Sequence, residues 1–471
     1  MEKELQENFA GEKILVIGAG ISGTAAALTA KKMGAEVVVL SDSKTEDKIT
    51  DDLTPLKEAG VELLLGPQTE EQLEGVTRVI ASPAVPCRVP LIQAAYSKKI
   101  HVESEVELAY HLAASPLYAI TGTNGKTTTV TLTGDLFAAK YGKDKTGVGG
   151  NIGTPLVDEA LRIGADGALV AEISSYQLEA TDDFHPRISA ILNVTPDHLL
   201  RHGTMDVYQA TKEKIFAQQT AEEGDFVVLN FDDELTKNSI ARAKEKGINV
   251  CPFSTVDRLS AEKYAAVLKD DVLTIRDDGK EVQLVKTDEL NIKGRHNVEN
   301  ALAAAAIAYF GGVDTEMIKK VLREFMPVEH RIEPVRELDG VRYYNDSKAT
   351  NTDSTVKALE SFTEPILLIA GGDDKMTDLT DFMQLVKAKC SKLVLVGAAA
   401  ERFKSEALKG GIVPSDILEA GYDMAKAVEL CRSEAKPGDV VLLSPACASF
   451  DMFTGFEHRG KVFKEIVNAL K

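Results

Sequence analysis

The residues Thr121-Gly-Thr-Asn-Gly-Lys-Thr-Thr-Thr129 bring together the groups that chemistry on a triphosphate requires. They follow the apolar run Pro116-Leu-Tyr-Ala-Ile120, so the pattern predicts a strand, a glycine turn and a helix opened by hydroxyls. Backbone N–H groups in such a turn, and at a helix N-terminus, attract anionic oxygens. Gly122, Thr123, Asn124 and Gly125 form the turn, Lys126 can reach β- and γ-phosphates, and the Thr127 hydroxyl, followed by Thr128, can sit on Mg²⁺. The match to an ordinary P-loop is incomplete, because that pattern needs glycine at position 120, where the chain has Ile120. A plain glycine turn explains neither the lysine nor the threonines, so an ATP site is expected here.

A second glycine pattern, Gly18-x-Gly20-x-x-Gly23, follows the strand-like Ile14–Ile17, and Asp42 closes the next strand. That fits a dinucleotide fingerprint, with Asp42 on a ribose hydroxyl, or simply close packing of strand and helix. With ATP assigned to 121–129, the loop is better read as the grip for a second substrate that carries its own diphosphate. A nicotinamide-dependent oxidoreductase is the alternative, and it leaves 121–129 unexplained.

Further polar groups stand at predicted strand ends. Glu172, in Glu172-Ile-Ser-Ser-Tyr-Gln177, ends one such strand and could hold Mg²⁺ or merely cap the strand. Asn193-Val-Thr-Pro-Asp-His198 ends another, with His198 a metal ligand or a loop hydrogen-bonder. Lys212 lies on the following helix, where a lysine is solvated by default. Asn297 and Asn300 share one helical face, suited to a planar base edge or to capping. Arg331, in Glu329-His-Arg331, could swing onto a phosphate during transfer. The segments Asn345-Asp-Ser-Lys348-Ala-Thr350 and Leu442-Leu-Ser-Pro-Ala-Cys-Ala-Ser449 also end strands, where open α/β sheets bind ligands.

The elements that must position these groups alternate between strand and helix over three sections, 1–106, 107–326 and 327–471. The first is a Rossmann-like nucleotide-binding sheet, the second a P-loop-type ATPase α/β domain with a β-hairpin region at 254–290, and the third another Rossmann-like α/β domain. A break is expected at Glu103–Glu107, before the phosphate-loop unit, and Pro327 opens the third section. A formal charge of −19 argues against nucleic acid, so phosphates must be held by local sites. The five cysteines are scattered without a C-x-x-C pair, which fits reduced thiols and argues against zinc. The charged start Met1-Glu-Lys-Glu-Leu-Gln-Glu and the lack of any long apolar run point to the cytoplasm and away from membranes.

In this order, these motifs resemble the Mur ligase family of peptidoglycan synthesis over essentially the whole chain. Thr121–Thr129 is similar to that family's shortened ATP loop, and Glu172-Ile-Ser-Ser, Asn193–His198, His296-Asn297, His330-Arg331 and Asn345–Asn351 follow it. The far-end segments Leu443–Ser449 and Phe456-Glu-His-Arg-Gly460, with Gly18–Gly23, resemble the D-glutamate-adding branch. An Asp-Asn-Pro-Arg motif, expected of the diaminopimelate- or lysine-adding branch, is absent.

The resemblance implies an ATP-dependent acid–D-amino-acid ligase of cell-wall synthesis, acting on UDP-N-acetylmuramoyl-L-alanine and D-glutamate through an acyl phosphate. It implies that Gly20, Ile21, Ser22, Asp42 and Ser43 hold the uridine diphosphate and Asn151 the sugar-peptide. Gly122–Thr128 with Asn297, Asn300, Arg331 and Asp346 would hold ATP. Thr127 would bind one Mg²⁺, while Glu172, His198 and a carbamylated Lys212 would bind a second, with Mn²⁺ able to substitute. Lys348, Thr350, Ser449, Phe450 and Phe456 would form the D-glutamate pocket. Lys126, Glu172, His198, Lys212 and Lys348 would be the catalytic set, in a monomer whose third domain closes on the others. The chain departs from the family at Leu200, where Asp is frequent, and at His458, where Gln is frequent. A ligase for another amino acid, or a nucleotide-binding regulator without ligase activity, remain rival readings.

Overall fold

Continuous apolar runs such as Ile14-Leu-Val-Ile17 and Ile366-Leu-Leu-Ile-Ala370 read as strands covered on both faces, and they occupy the middles of three sheets. The computed structural model describes residues 9–471 apart from 50, 293, 327 and 375. The charged Met1–Glu7 and the expected boundary at Pro327 lie outside the described residues.

The first sheet holds β1 (Lys13–Ile17), β2 (Val37–Asp42), β3 (Glu62–Leu65), β4 (Arg78–Ala81) and β5 (His101–Ser104) in the order β3-β2-β1-β4-β5, all parallel. Strand order reverses between β1 and β4, so a crevice opens at their C-terminal ends.

The second sheet contains β6 (Leu117–Thr121), β7 (Thr146–Gly150), β8 (Ala168–Glu172), β9 (Ile188–Ile191), β10 (Phe226–Asn230) and β11 (Asn249–Ser254). It ends in β12 (Tyr264–Lys269), β13 (Val272–Asp277) and β14 (Lys280–Lys286), for an order of β14-β13-β12-β11-β10-β9-β6-β8-β7. The β13–β14 hairpin turns at Asp278-Gly279, as the sequence pattern predicts, and β12 adds a third antiparallel strand. β6 lies between β9 and β8, so the loops after these three strands, including the phosphate turn, meet at one edge.

The third sheet is β15-β16-β20-β17-β18-β19, from β15 (Glu333–Leu338), β16 (Val341–Asn345), β17 (Ile366–Gly371), β18 (Cys390–Val396), β19 (Ile417–Gly421) and β20 (Val440–Leu443). β20 runs parallel between β16 and β17, which puts the loop after Asn345 beside the loop after Leu443. By contact density, the residues through Leu290 with Val298–Phe325 form one compact unit, and Asn291–Asn297 with Met326–Lys471 a second. Among the described residues, no helix is long and apolar enough to cross a membrane.

The boundary expected at Glu103–Glu107 falls where a strand passes into a helix. β5 runs directly into the helix Glu105–Leu112, with Ser104 Oγ accepting from Glu107 N, and Glu103, Glu105 and Glu107 are all buried. Three glutamates in five residues look like a solvated linker, but each carboxylate has a partner. Glu103 takes Arg78 at 2.8 Å, Glu105 accepts from Val157 N at 2.7 Å, and Glu107 accepts from Asp182 N and Asp183 N. Glu105 and Glu107 link the end of the first sheet to elements of the second, while the Glu103–Arg78 pair lies within the first sheet.

Burial pushes the Glu105 carboxyl up from 4.5 to about 7. A carboxyl that holds its proton more tightly when folded contributes stability that is lost as pH rises from about 4.5 through about 7. Glu105→Gln keeps the acceptor for Val157 and removes the ionisation. The drop in unfolding free energy between about pH 5 and about pH 8 should shrink by up to ~3 kcal/mol, read by urea denaturation at both pH values.

Candidate active site

The helix Lys126–Tyr141 starts directly after Gly125, which sits at φ 84°, a conformation glycine adopts without strain. A Cβ there would also lie 2.3 Å from Asn300 Oδ1, so the loop can pass this side chain only as glycine. Asn300 in turn accepts from Thr129 Oγ1. Asn297 and Asn300 are not caps: the helix begins at Arg295, and both are buried in its first turns.

The loop after β9 laces the phosphate turn into place. Asn193 pairs reciprocally with Asn124, accepting from its N–H at 2.8 Å and donating to its carbonyl at 3.1 Å. Thr123 N donates to Asn193 O, and Thr123 Oγ1 accepts from Thr195 N, donates to Thr195 O and contacts the Tyr208 hydroxyl.

Cations and a carboxylate converge on this frame. Lys126 Nζ turns back onto its own loop, donating to Gly122 O and Thr123 O at 2.9 Å each. Lys212 Nζ donates to the same Gly122 carbonyl at 3.0 Å and lies 4.5 Å from the Tyr208 ring centroid. Lys212 is only 1% exposed, which overturns the solvated default for a helical lysine. Burial, reinforced by the nearby Lys126, drives its ammonium pKa well below the ordinary lysine range. Glu172, buried at the end of β8, accepts from Thr127 Oγ1 at 2.9 Å and from Asn151 Nδ2 at 2.9 Å. His198 sits at φ 56° where a short helix begins, its Nδ1 2.9 Å from the Tyr176 hydroxyl.

At the crevice between β1 and β4 lies a cavity of about 530 Å³ lined by Gly18, Gly20, Asp42, Ser43, Ser82 and Val85, among others. Its glycine turn is tight: a Cβ at Gly23 would lie 1.9 Å from Gly18 O. Asp42 was expected on a ribose or uridine; in the structure its two oxygens accept from Ala19 N and Lys44 N, which fixes the turn. Ile21 is exposed and Ser22 half-buried on the first turn of the next helix.

The second compact unit brings Arg331, Asp346 and Lys348 together. Arg331 is 3.4 Å from Asp346, whose other oxygen accepts from Ser444 Oγ at 2.7 Å. Burial outweighs the Arg331 charge and raises the Asp346 carboxyl to about 6. Lys348 Nζ stands 4.9 Å from the Phe456 ring centroid. Ser449 is buried, Thr350 half-buried and Phe450 72% exposed.

Models of known families match three consecutive stretches of the chain. They are a Mur ligase MurD-like N-terminal domain over 12–104, a Mur ligase middle domain over 120–308 and a Mur ligase glutamate ligase domain over 330–447. A protein of Pelotomaculum thermopropionicum named UDP-N-acetylmuramoylalanine–D-glutamate ligase is 46% identical, across 99% of each chain. One of the same name from Clostridioides difficile is 42% identical, across 98% of this chain and 99% of its own. The chain belongs to the Mur ligase family.

Solved structures agree in fold. A pseudomurein peptide ligase type C from Methanothermus fervidus superposes with a TM-score of 0.58 at 18% identity, covering 98% of this chain and 100% of its own. A UDP-N-acetylmuramate–alanine ligase from Thermotoga maritima does so with 0.56 at 19%, with the same coverage. The three-domain α/β architecture expected from the sequence is therefore that of a Mur ligase.

Sequence reasoning gave no role to Asn193, Tyr176, Tyr208, Ser444 or Arg459, though most lie inside the motifs quoted for it. Polarity inside a motif was the available signal; their partners, far away in sequence, were not readable. Asn193→Ala removes both bonds to the Asn124 backbone. It should lower stability by about 1–3 kcal/mol in denaturant titration and raise the KM for ATP.

Proposed function

We propose that this Mur ligase joins D-glutamate to UDP-N-acetylmuramoyl-L-alanine at the expense of ATP, through an acyl phosphate, in peptidoglycan precursor synthesis. The observation that carries the reading is the convergence of Lys126, Lys212, Thr127 and Glu172 around one phosphate-type turn. The D-glutamate specificity is supported by the names of relatives that align end to end with this chain.

In this reading a carboxylate oxygen of the alanyl group attacks the γ-phosphorus, the bond to the β,γ-bridging oxygen breaks, and ADP departs. The D-glutamate amine then attacks the acyl carbon and phosphate leaves with its oxygen. Both steps gather negative charge, so preorganised cations and N–H groups supply most of the catalysis. Gly122–Thr128 cradle the triphosphate, and Lys126 exchanges its two carbonyl acceptors for phosphate oxygens. Asn297, Asn300, Arg331 and Asp346 hold the rest of the nucleotide. Gly20, Ile21, Ser22, Asp42 and Ser43 hold the uridine diphosphate, and Asn151 orients the sugar-peptide. Lys348, Thr350, Ser449, Phe450 and Phe456 receive D-glutamate.

The donors present suit a hard divalent cation. Thr127 Oγ1 and the Glu172 carboxylate are oxygen donors of the kind Mg²⁺ takes, and the hydroxyl is held against the carboxylate at 2.9 Å. When bound, Mg²⁺ would neutralise triphosphate charge at Thr127, and a second ion, for which Mn²⁺ could substitute, would take Glu172, His198 and Lys212. Lys212 fits that role as a carbamate. A buried amine whose pKa is pushed down gives up its proton more readily than an ordinary lysine, and the free amine adds CO₂ to give N-carboxylate and a proton. The product puts a negative charge beside Lys126, where an ammonium would be repelled. The enzyme is read as cytoplasmic and monomeric.

Phosphate release from ATP with UDP-N-acetylmuramoyl-L-alanine should require D-glutamate and fail with L-glutamate, L-alanine, L-lysine or diaminopimelate. Release with one of these and not with D-glutamate would falsify the specificity. Equilibration with ¹³C-bicarbonate should give a carbamate carbon signal that is lost in Lys212→Met. A fully active enzyme without that signal would remove the carbamate from the mechanism.

A further inference from the structure

Arg201 lies on the short helix Leu199–His202, next to Leu200 where this chain departs from the family pattern, and no site role falls to it so far. Its side chain is 9% exposed and bonds in two directions. Toward the second sheet, Nε and Nη2 form a two-pronged pair with Glu179, at 2.7 and 2.8 Å. Toward the first sheet, Nη1 donates to Ala84 O, and Nη2 donates to Pro83 O and Val85 O, all between 3.1 and 3.3 Å. Those carbonyls belong to the loop after β4, which lines the cavity assigned to the uridine diphosphate. The glycine turn after β1 packs against this loop: a Cβ at Gly18 would lie 2.7 Å from Ser82 Cβ and 3.1 Å from Val85 Cγ2.

The guanidinium also stacks 4.6 Å from the Tyr176 ring centroid, and the Tyr176 hydroxyl is the partner of His198 Nδ1. Arg201 N donates to His198 O, which closes a short circuit between the two residues. Glu179 reaches the same loop through Cys87 N, and Arg88 Nη1 donates to Arg201 O.

We infer that Arg201 is a positioning residue that couples the first-sheet cavity to His198: one planar fork sets the loop under the uridine diphosphate and, through Tyr176, the imidazole orientation. The inference rests on the proposed function, which makes the cavity a uridine diphosphate site. Lysine cannot replace it, because a single ammonium cannot hold a carboxylate by two prongs, lie flat on a tyrosine and reach three carbonyls.

The test uses UDP as probe on the full chain without added metal. Calorimetry gives the UDP dissociation constant, and the His198 ring resonance, assigned by its loss in His198→Asn, reports the imidazole. In the native protein UDP should shift that resonance. Arg201→Lys and, independently, Glu179→Gln should weaken UDP about tenfold and abolish the shift at saturating UDP, with the fold intact by circular dichroism. A merely structural arginine would alter melting temperature but leave the response of His198 in place. Native UDP affinity in both variants, or an unchanged His198 response, overturns the coupling and leaves the ligase reading standing. No UDP binding to the native protein overturns the cavity assignment, and the coupling with it.

Discussion

Two lysines share one carbonyl. Lys126 and Lys212 approach from different helices, and both donate to Gly122 O inside the fold. Two ammonium groups so close, one of them fully desolvated, cannot both stay charged at low cost. The arrangement therefore favours loss of a proton from one amine or the arrival of anions, and the depressed Lys212 pKa works toward the first of these. Everything around the turn serves that constraint: Asn193 fixes the loop, Tyr208 offers Lys212 a ring face, and Glu172 brings the nearest bonded carboxylate to Thr127.

Some of the backbone strain lies in the motif loops beside strand ends. Of the ten described non-glycine residues with left-handed backbone, four stand in the motif loops: His198 (φ 56°), His330 (φ 65°), Ile332 (φ 43°) and Ala446 (φ 59°). Ile332 is β-branched, for which this region is costly. Each of these residues lies in a motif loop at a strand end or beside one, where neighbours over-determine the backbone. His330 is held by Asn345 Nδ2 on its ring at 2.8 Å and Ile332 N by Asp346, so two strained residues are pinned by the segment that carries Lys348.

The sequence reveals what is local and hides what depends on distant partners. The phosphate turn was legible because strand, glycines, lysine and hydroxyls are contiguous. Glu172 was legible because it ends an apolar run. Lys212 was not: nothing within its own helix says that its amine faces Gly122, 90 positions earlier. β7 was missed because Thr146-Gly-Val-Gly-Gly150 reads as a turn, yet Cβ atoms at Gly147 and Gly149 would meet neighbours at 2.9 and 2.7 Å. β15 was missed for the opposite reason. Glu333-Pro-Val-Arg-Glu-Leu338 is charged and contains proline, as suits an edge strand paired on one side only.

Arg459 shows why a motif can be recognisable before its role is. It is 2% exposed, and burial lowers its pKa to about 10. Among the described residues it forms no ion pair; its bonds go to Ser347 Oγ and O and to the carbonyls of Cys447 and Ala448. These acceptors come from the loops after β16 and β20, which the strand order places side by side. A buried guanidinium is expensive to desolvate, and carbonyl dipoles offset that cost only when several point at it from fixed positions. The arginine thus requires both loops in one arrangement, and the loops, once closed around it, hold Lys348 and Ser449 on a common frame. Glycine completes the fit at the next position, since a Cβ at Gly460 would lie 2.3 Å from His330 Nδ1. The adjacent Arg-Gly pair therefore reads as one packing solution, in which a charge fixes two loops and a missing side chain admits a third.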